Sequence, residues 1–367
     1  MAERTSQERR SMTGRLSAPH VSVIIPVYNG GERFRRCLAS LAQASPPPSA
    51  VVVVADGDTD GSRRVAQEFG ARVLTRSSPG GPALARNMGA HAVRKDDILF
   101  FVDGDVAVRR DTIGHVASAF GADPSLAAVI GSYDDAPAEI NFHSQFKNLL
   151  HHYVHQTARE EASTFWGACG AIRHEVFQEI GGFDERYRYP SIEDIELGYR
   201  LRRDGHRIRL VKTLQVKHLK CWRMGSMVKA DVFYRALPWT ELICRDRGLP
   251  NDLNLDYSSR LSALLAYGFF GSVLAAFWSP TWLAVSGGLG VALLLLNAQL
   301  YQFFRRKRGL GFALHAIPWH WFYLFYSGVA FAAGTARYLL FTRSTVPGDA
   351  SGSKPLPSTI PASKEKA

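Results

Sequence analysis

The chain has 367 residues, enough for one or two domains with full cores, and a formal net charge of +11 that favours anionic partners: phosphate groups, an acidic membrane surface or nucleic acid. Its four cysteines, Cys37, Cys169, Cys221 and Cys244, form no C-x-x-C pair, which argues against a cysteine zinc site and a disulfide framework and fits a reducing compartment. Composition shifts near Leu261. Before it the chain reads as a soluble α/β domain; after it charge almost vanishes until Arg305–Arg308, then again to Arg337.

In chain order, residues 1–19 are polar, lack an apolar h-region, and predict a disordered segment with no cleaved secretory signal. "HVSVIIPVYNGG" predicts a strand from Val21 to Ile25 ending in turn residues. "ERFRRCLASLAQA" has helical periodicity, with Phe34, Leu38 and Leu41 on one face. "AVVVVAD" is a continuous apolar strand of the kind buried in parallel sheets, and "GSRRVAQEFG" a short helix closed by glycine. "ARVLTR" predicts a strand, "GPALARNMGAHAV" a helix and "DDILFFVD" a strand. This alternation predicts a doubly wound sheet with helices on both faces, whose ligands bind beyond the carboxyl ends of the strands. Tyr28, Asp56, Asp103 and Asp105 all fall at such ends.

The stretch "ILFFVDGDVAV" sets Asp103 and Asp105 around a glycine at the end of an apolar run. Burying ionised carboxylates costs several kcal/mol unless something pairs with them. A D-x-D at this place suits a divalent cation with oxygen ligands, Mg2+ or Mn2+, which in turn bridges a diphosphate. A solvated acidic turn is the plainer alternative.

Taken together, "VSVIIPVYNGGERFRRCLASL", "VVVVADGDTDGS", "GPALARNMGA" and "ILFFVDGDVAV", followed by "FWGACGAIRHEVFQEIGGFDERY" and "SIEDIELGYRLRRDGHRI", resemble the family-2 glycosyltransferases over about residues 20 to 225. The resemblance implies the GT-A nucleotide-diphospho-sugar transferase fold, a Rossmann-like mixed α/β sheet. It implies that Pro26, Tyr28 and Asp56 line the nucleotide, that Arg86 sits near the donor phosphates, and that Asp103 and Asp105 form the metal motif with Asp105 the more direct ligand. It implies that His218 completes the metal shell, that Asp194 is the catalytic base with Glu193 its acceptor-side neighbour, and that Trp166 and Gly167 floor the acceptor pocket. Two departures stand out. Ala55 replaces the first of two adjacent aspartates that the family usually carries, and no Q-x-x-R-W is found, which favours transfer of one sugar per encounter over processive synthesis.

Some features admit other readings. "DGDTDGS" begins like a calcium loop, but its twelfth position is Gln67 and a strand precedes it. Ser191 is placed to cap the helix of "SIEDIELGYRLRR", with Asp194 in a capping-box position, a role compatible with that of a base. His151, His152 and His155 have helical spacing but no evident third ligand, and read as an interfacial or acceptor-facing helix. "RYRYP" and "RLRRDGHRIRLVK" are basic; anionic headgroups account for them at least as well as nucleic acid, and no nucleic-acid partner is expected.

The last third predicts about three transmembrane helices, Leu261–Trp278, Trp282–Phe304 and Phe312–Phe341, followed by a disordered tail over 343–367. Domain limits are thus expected at 1–19, 20–255, 256–342 and 343–367. Arg305–Arg308 is a positive-inside signal that puts the catalytic domain in the cytoplasm, where nucleotide sugars are made. The expectation is an inverting, metal-dependent transferase at the inner membrane, moving one sugar from a nucleotide-diphospho-sugar to a lipid or lipid-linked acceptor. A processive synthase and a non-catalytic sugar-nucleotide-binding scaffold are the rivals.

Overall fold

The computed structural model describes residues 19–95, 97–246 and 256–342; nearly all of both expected tails and the 255/256 boundary lie outside the described residues. The N-terminal part follows the predicted alternation closely: β1 (Val21–Val27), α1 (Gly31–Ala42), β2 (Ala50–Asp56), α2 (Ser62–Glu68), β3 (Arg72–Arg76), α3 (Pro82–His91) and β4 (Ile98–Val102). Helix α1 buries the expected stripe of Phe34, Leu38 and Leu41, with Cys37 added. Each fully buried Phe or Leu contributes roughly 1.5–3 kcal/mol.

Beyond β4 the pattern changes hand. β5 (Val106–Val108), α4 (Thr112–Ala122), β6 (Leu126–Tyr133), α5 (Phe142–Thr157), β7 (Glu161–Ala162), β8 (Cys169–Arg173), α6 (His174–Glu179), α7 (Glu193–Arg203) and β9 (Arg207–His218) complete one sheet. Its order is β3-β2-β1-β4-β8-β6-β9-β5, with β7 beside β9. β1, β2, β3 and β4 run parallel, whereas β8 pairs antiparallel with both β4 and β6. The sheet is therefore mixed, as the GT-A expectation requires. Apolar layers cover both faces, one built on Phe34, Val53 and Phe100, the other on Ile24, Phe101 and Phe165.

Two close approaches position the functional end. A Cβ at Gly198 of α7 would lie 2.2 Å from the Phe165 backbone nitrogen, so glycine alone lets α7 press on the segment before Trp166. Antiparallel pairing of β5 with β9 sets Val106 opposite His218, and the Leu219 N–H donates to the Asp105 carbonyl at 2.9 Å.

The C-terminal part is helical: α8 (Met224–Lys229), a π-helical segment (Ala230–Ala236), α9 (Leu237–Asp246), α10 (Tyr257–Ala275), α11 (Trp282–Leu296) and α12 (Ala298–Arg337). α12 breaks at Gly309, whose φ of 84° only glycine adopts readily. Three separate spans are not what this part forms: among the described residues no single helix is long and apolar enough to cross a membrane, and only α11 with α12 passes as a pair, bent by 65°. The reason is length and dilution. α11, at 15 residues, reaches about 22 Å against a hydrocarbon core of about 30 Å. In α12, Arg305–Arg308 interrupts the apolar run. The positive cluster is also partly engaged. Lys307 pairs with Asp135 at 2.6 Å, and Arg308 donates to Gln145 Oε1 at 2.5 Å and to the Asp135 carbonyl at 2.6 Å. Phe146 and Leu149 of α5 pack with Leu300, Phe304 and Ala316 of α12, so this half is joined to the sheet domain by a shared core.

Candidate active site

The site is assembled at the carboxyl ends of β1, β2 and β4 and the N-terminus of α7. Tyr28 follows β1 and is 59% exposed, an open aromatic face. The Pro26 carbonyl lies against Gly104, between the two aspartates of the D-x-D. Asp56, at the end of β2, is buried: it accepts the Gly80 and Gly81 N–H groups at 2.8–2.9 Å and pairs with Arg76 at 2.9 Å. It therefore fixes the loop that launches α3. Asp58 accepts the Arg63 N–H, and Asp60 accepts from Ser62 and the Gly31 N–H. Each carboxylate of "DGDTDGS" thus accepts at least one backbone N–H.

Arg86 of α3 is the centre of the arrangement. It is 3% exposed; Nη2 pairs with Asp103 Oδ1 at 2.7 Å and Nη1 with Glu193 Oε1 at 2.8 Å. Burial opposes its charge, but the Asp103 and Glu193 carboxylates outweigh this and hold the guanidinium well above its usual range. The expected place of Arg86 near donor phosphates is thus indirect: its terminal nitrogens are engaged by the first D-x-D aspartate and the first residue of α7. Gly167 sits on the guanidinium, a Cβ there lying 3.0 Å from its central carbon.

The expected Ser191 cap is not what starts α7. Ile192 is the N-cap residue, the Ser191 hydroxyl donates to the Tyr234 carbonyl at 2.8 Å, and Glu193 Oε2 accepts the Ser191 N–H. Ser191 lies one residue too early, and its hydroxyl finds a carbonyl from another segment. Asp194 accepts the Ile195 N–H at 2.8 Å through Oδ1 and the Gly167 N–H at 3.0 Å through Oδ2. Desolvation first, and the Glu193 charge second, push its pKa up to about 6; the Gly167 N–H, Arg86 and Arg235 pull the other way. A carboxylate oriented by two amides and poised near neutrality has the attributes of a general base.

On the other side of the cleft, His218 stacks on Tyr133 at 4.2 Å, and Tyr133 meets Trp166 edge-to-face at 4.8 Å. His151 stacks on His155 and packs against Trp166, and among the described residues these histidines form no metal cluster. Desolvation and nearby Lys220 drive the His218 pKa down to about 3, which keeps its imidazole neutral and able to bind a cation. Among the described residues no hydrogen bond or ion pair engages the Asp105 carboxylate. Asp105 and His218 thus supply an oxygen and a neutral nitrogen from adjoining positions, a donor set that fits Mg2+ or Mn2+ once a diphosphate adds further oxygens. No group of three His, Cys, Asp or Glu able to hold a metal unaided occurs among the described residues.

Two residues escaped the sequence reading. Tyr133 gave no motif, only an aromatic at the end of a strand. Arg235 gave one faint signal, a lone cation within "VFYRALPW". Conversely, the basic stretch from Arg186 to Lys212 is largely paired within the fold: Arg186 with Asp184, Arg200 with Glu196, Arg202 with Glu161 and Arg207 with Asp123.

Comparison with known proteins meets this geometry. Residues 22–181 match the model of glycosyl transferase family 2, and residues 148–222 match one described as the N-terminal domain of galactosyltransferase. The chain is 37% identical over 94 residues to glycosyltransferase AglE of Haloferax volcanii, covering 24% of this chain and 31% of that one. It is 27% identical over 225 residues to validoxylamine A glucosyltransferase of Streptomyces hygroscopicus subsp. limoneus, covering 51% and 49%. It is 27% identical over 237 residues to N-acetylglucosaminyl-diphospho-decaprenol L-rhamnosyltransferase of Mycobacterium tuberculosis, covering 55% and 77%. The chain spans about a third to a half of the length of the first curated relatives it matches. On the family match and the ordered site together, the segment 22–181 is a glycosyl transferase family 2 domain.

Proposed function

We propose that the chain transfers one sugar from a nucleotide-diphospho-sugar to a lipid or lipid-linked acceptor, with inversion, at a membrane surface. The observation that carries this reading is the Asp194 carboxylate, oriented by the Gly167 and Ile195 amides and linked through Glu193 and Arg86 to Asp103. Asp194 is thereby the chain neighbour of Glu193, which closes an ion-paired Asp103–Arg86–Glu193 bridge to the donor-side motif.

In this reading Tyr28 and Pro26 flank the nucleotide, and Asp56 holds the loop beneath it. Asp105 and His218, with the free oxygen of Asp103, would hold Mg2+ or Mn2+, which when bound supplies positive charge to the departing diphosphate. Asp194 removes the proton from the acceptor hydroxyl as its oxygen displaces the diphosphate in one in-line step, which inverts the anomeric centre. Trp166 and Tyr133 offer apolar faces on which a sugar ring can stack. The lipid-linked acceptor is supported by the name of the mycobacterial relative. It is also supported by the apolar C-terminal helices, with Phe277 and Trp278 about 85% exposed and Leu295 at 72%. The catalytic domain would face the cytoplasm of a cell-membrane-bound enzyme.

The test is transfer by detergent-purified protein with a screen of UDP- and GDP-sugars, Mn2+ and membrane lipid extract, beside Asp194→Asn. A glycolipid formed by the wild type and not by a variant that still binds donor supports the reading. Wild-type turnover by Asp194→Asn removes the base assignment, and absence of donor binding by the wild type removes the enzyme reading.

A further inference from the structure

The π-helical segment Ala230–Ala236 is pinned on three sides. Asp231 pairs with Lys147 of α5 and accepts the Tyr326 hydroxyl of α12 at 2.9 Å. The Tyr234 carbonyl accepts the Ser191 hydroxyl, three residues before Asp194. Just beyond, Trp239 donates to the Tyr199 hydroxyl of α7 at 2.8 Å. π-turns are rare and recur at functional sites because the extra residue redirects a side chain. Here the redirected region carries Arg235, which is part-exposed and which no carboxylate pairs among the described residues. The bond from Ser191 to the carbonyl of the preceding residue, Tyr234, brings this stretch beside the start of α7, and the Arg235 charge acts on Asp194. Lys220, two residues after His218, is likewise without an ion pair and lies 4.5 Å over the Trp222 ring. Lys147 approaches the same ring at 4.9 Å. With Asp231 already matched to Lys147, two cations remain uncompensated in this corner.

We propose that Arg235, assisted by Lys220, forms an anion subsite for a phosphate or diphosphate on the acceptor. This inference rests on the transferase reading and narrows the acceptor to a phosphate-bearing one. Position favours acceptor over donor. The nucleotide end of the cleft lies at β1 and β2, whereas the segment that carries Arg235 is tied through the Tyr234 carbonyl to Ser191 before α7 and through Asp231 and Tyr326 to the apolar helices. A phosphate held there, with its chain along α12, presents the adjoining sugar to Asp194. Arg235 offers five donors in a planar fork suited to phosphate.

The test uses the full-length protein in detergent and direct binding, so that it does not depend on turnover. Decyl diphosphate, inorganic pyrophosphate and decyl glucoside are titrated into wild type, Arg235→Gln and Arg235→Lys, and UDP and GDP with Mn2+ are titrated in parallel. The expected result is tight binding of decyl diphosphate, weakened about tenfold to a hundredfold in Arg235→Gln, as loss of charged hydrogen bonds implies. Arg235→Lys should recover part of it, decyl glucoside should be indifferent to the change, and nucleotide affinity should stay within about twofold. Pyrophosphate binding as tight as decyl diphosphate would show that the subsite takes the phosphate alone; weaker binding would show that the chain adds apolar contact. Equal decyl diphosphate binding by wild type and Arg235→Gln overturns the proposal. So does a loss confined to nucleotide binding, which would make Arg235 a donor-diphosphate ligand. Failure of the transferase reading shows separately, as absence of nucleotide binding by the wild type.

Discussion

The proposed role of Asp194 combines two demands that a solvent-exposed carboxylate does not meet: a base must be ionised to take a proton, and basic enough to want one. Desolvation and Glu193 raise its pKa to about 6. A base must be deprotonated, so kcat/KM should fall tenfold per pH unit below about 6 and level off above it. Asp194→Asn should lose about 10²–10⁴ in turnover and show no such limb. The same shift has a stability sign. The folded state binds this proton more tightly than the unfolded chain, so the contribution of Asp194 is largest at low pH and declines as pH rises through about 6. Asp194→Asn should therefore melt higher than wild type at pH 8 and not at pH 4, by calorimetry. Arg86 carries the opposite burden. Replacing it by Met leaves Asp103 and Glu193 facing each other with no cation between them, and should cost about 3–5 kcal/mol in urea unfolding. Arg86→Lys, with one ammonium for two carboxylates, should recover only part of it. Arg86, Asp103, Glu193 and Asp194 were all singled out in the sequence. That one guanidinium joins three of them into a chain was not, because Arg86 and Glu193 are 107 residues apart.

At the scale of elements, α7 delivers Asp194 because a glycine, not a cap, sets its position. An added Cβ at Gly198 meets the Phe165 backbone at 2.2 Å, where nothing flexible can yield. Gly198→Ala should displace the helix from the Trp166–Gly167 segment and break the Gly167 N–H contact to Asp194. The expected outcome is a fall in kcat of at least tenfold with donor affinity within about threefold, read by steady-state kinetics beside nucleotide titration. Gly167→Ala tests the other partner: its Cβ would approach the Arg86 guanidinium at 3.0 Å, and the expected loss is again in kcat. Strand and helix positions from β1 to β4 were readable because each is a local periodic run. Ser191 misled because capping potential is common to many serines, and the tertiary structure gave its hydroxyl to Tyr234.

At the scale of the whole molecule, the catalytic sheet and the apolar helices share one core through α5 and α12, and Lys307 and Arg308 reinforce it. Arg305 and Arg306 remain exposed beside them. If these helices lie in a leaflet, the bound surface should be anionic. Flotation with vesicles containing phosphatidylglycerol should show binding that weakens with salt. Phe277→Glu with Trp278→Glu should reduce it strongly, and Arg305→Gln with Arg306→Gln should reduce it by about 1 kcal/mol per charge removed. Binding that is equal on neutral vesicles and insensitive to both changes would refute a lipid-facing role for this half.

What the sequence determined by itself was whatever depends on neighbours along the chain: the βα alternation, the D-x-D at a strand end, the Glu-Asp pair at a helix start, and the change to an apolar half. Composition alone also counted three membrane crossings, because hydropathy sees apolar residues and not where helices end or bend. The tertiary structure decided the rest. It used Asp56 to hold a loop, took up Arg86 between two carboxylates, joined Tyr133 to His218 and Trp166, and left Arg235 without an ion pair among the described residues. The physical reason is common to all four. The energy of a charge or a ring depends on what lies within a few ångströms in space, and those neighbours come from segments that only folding brings together.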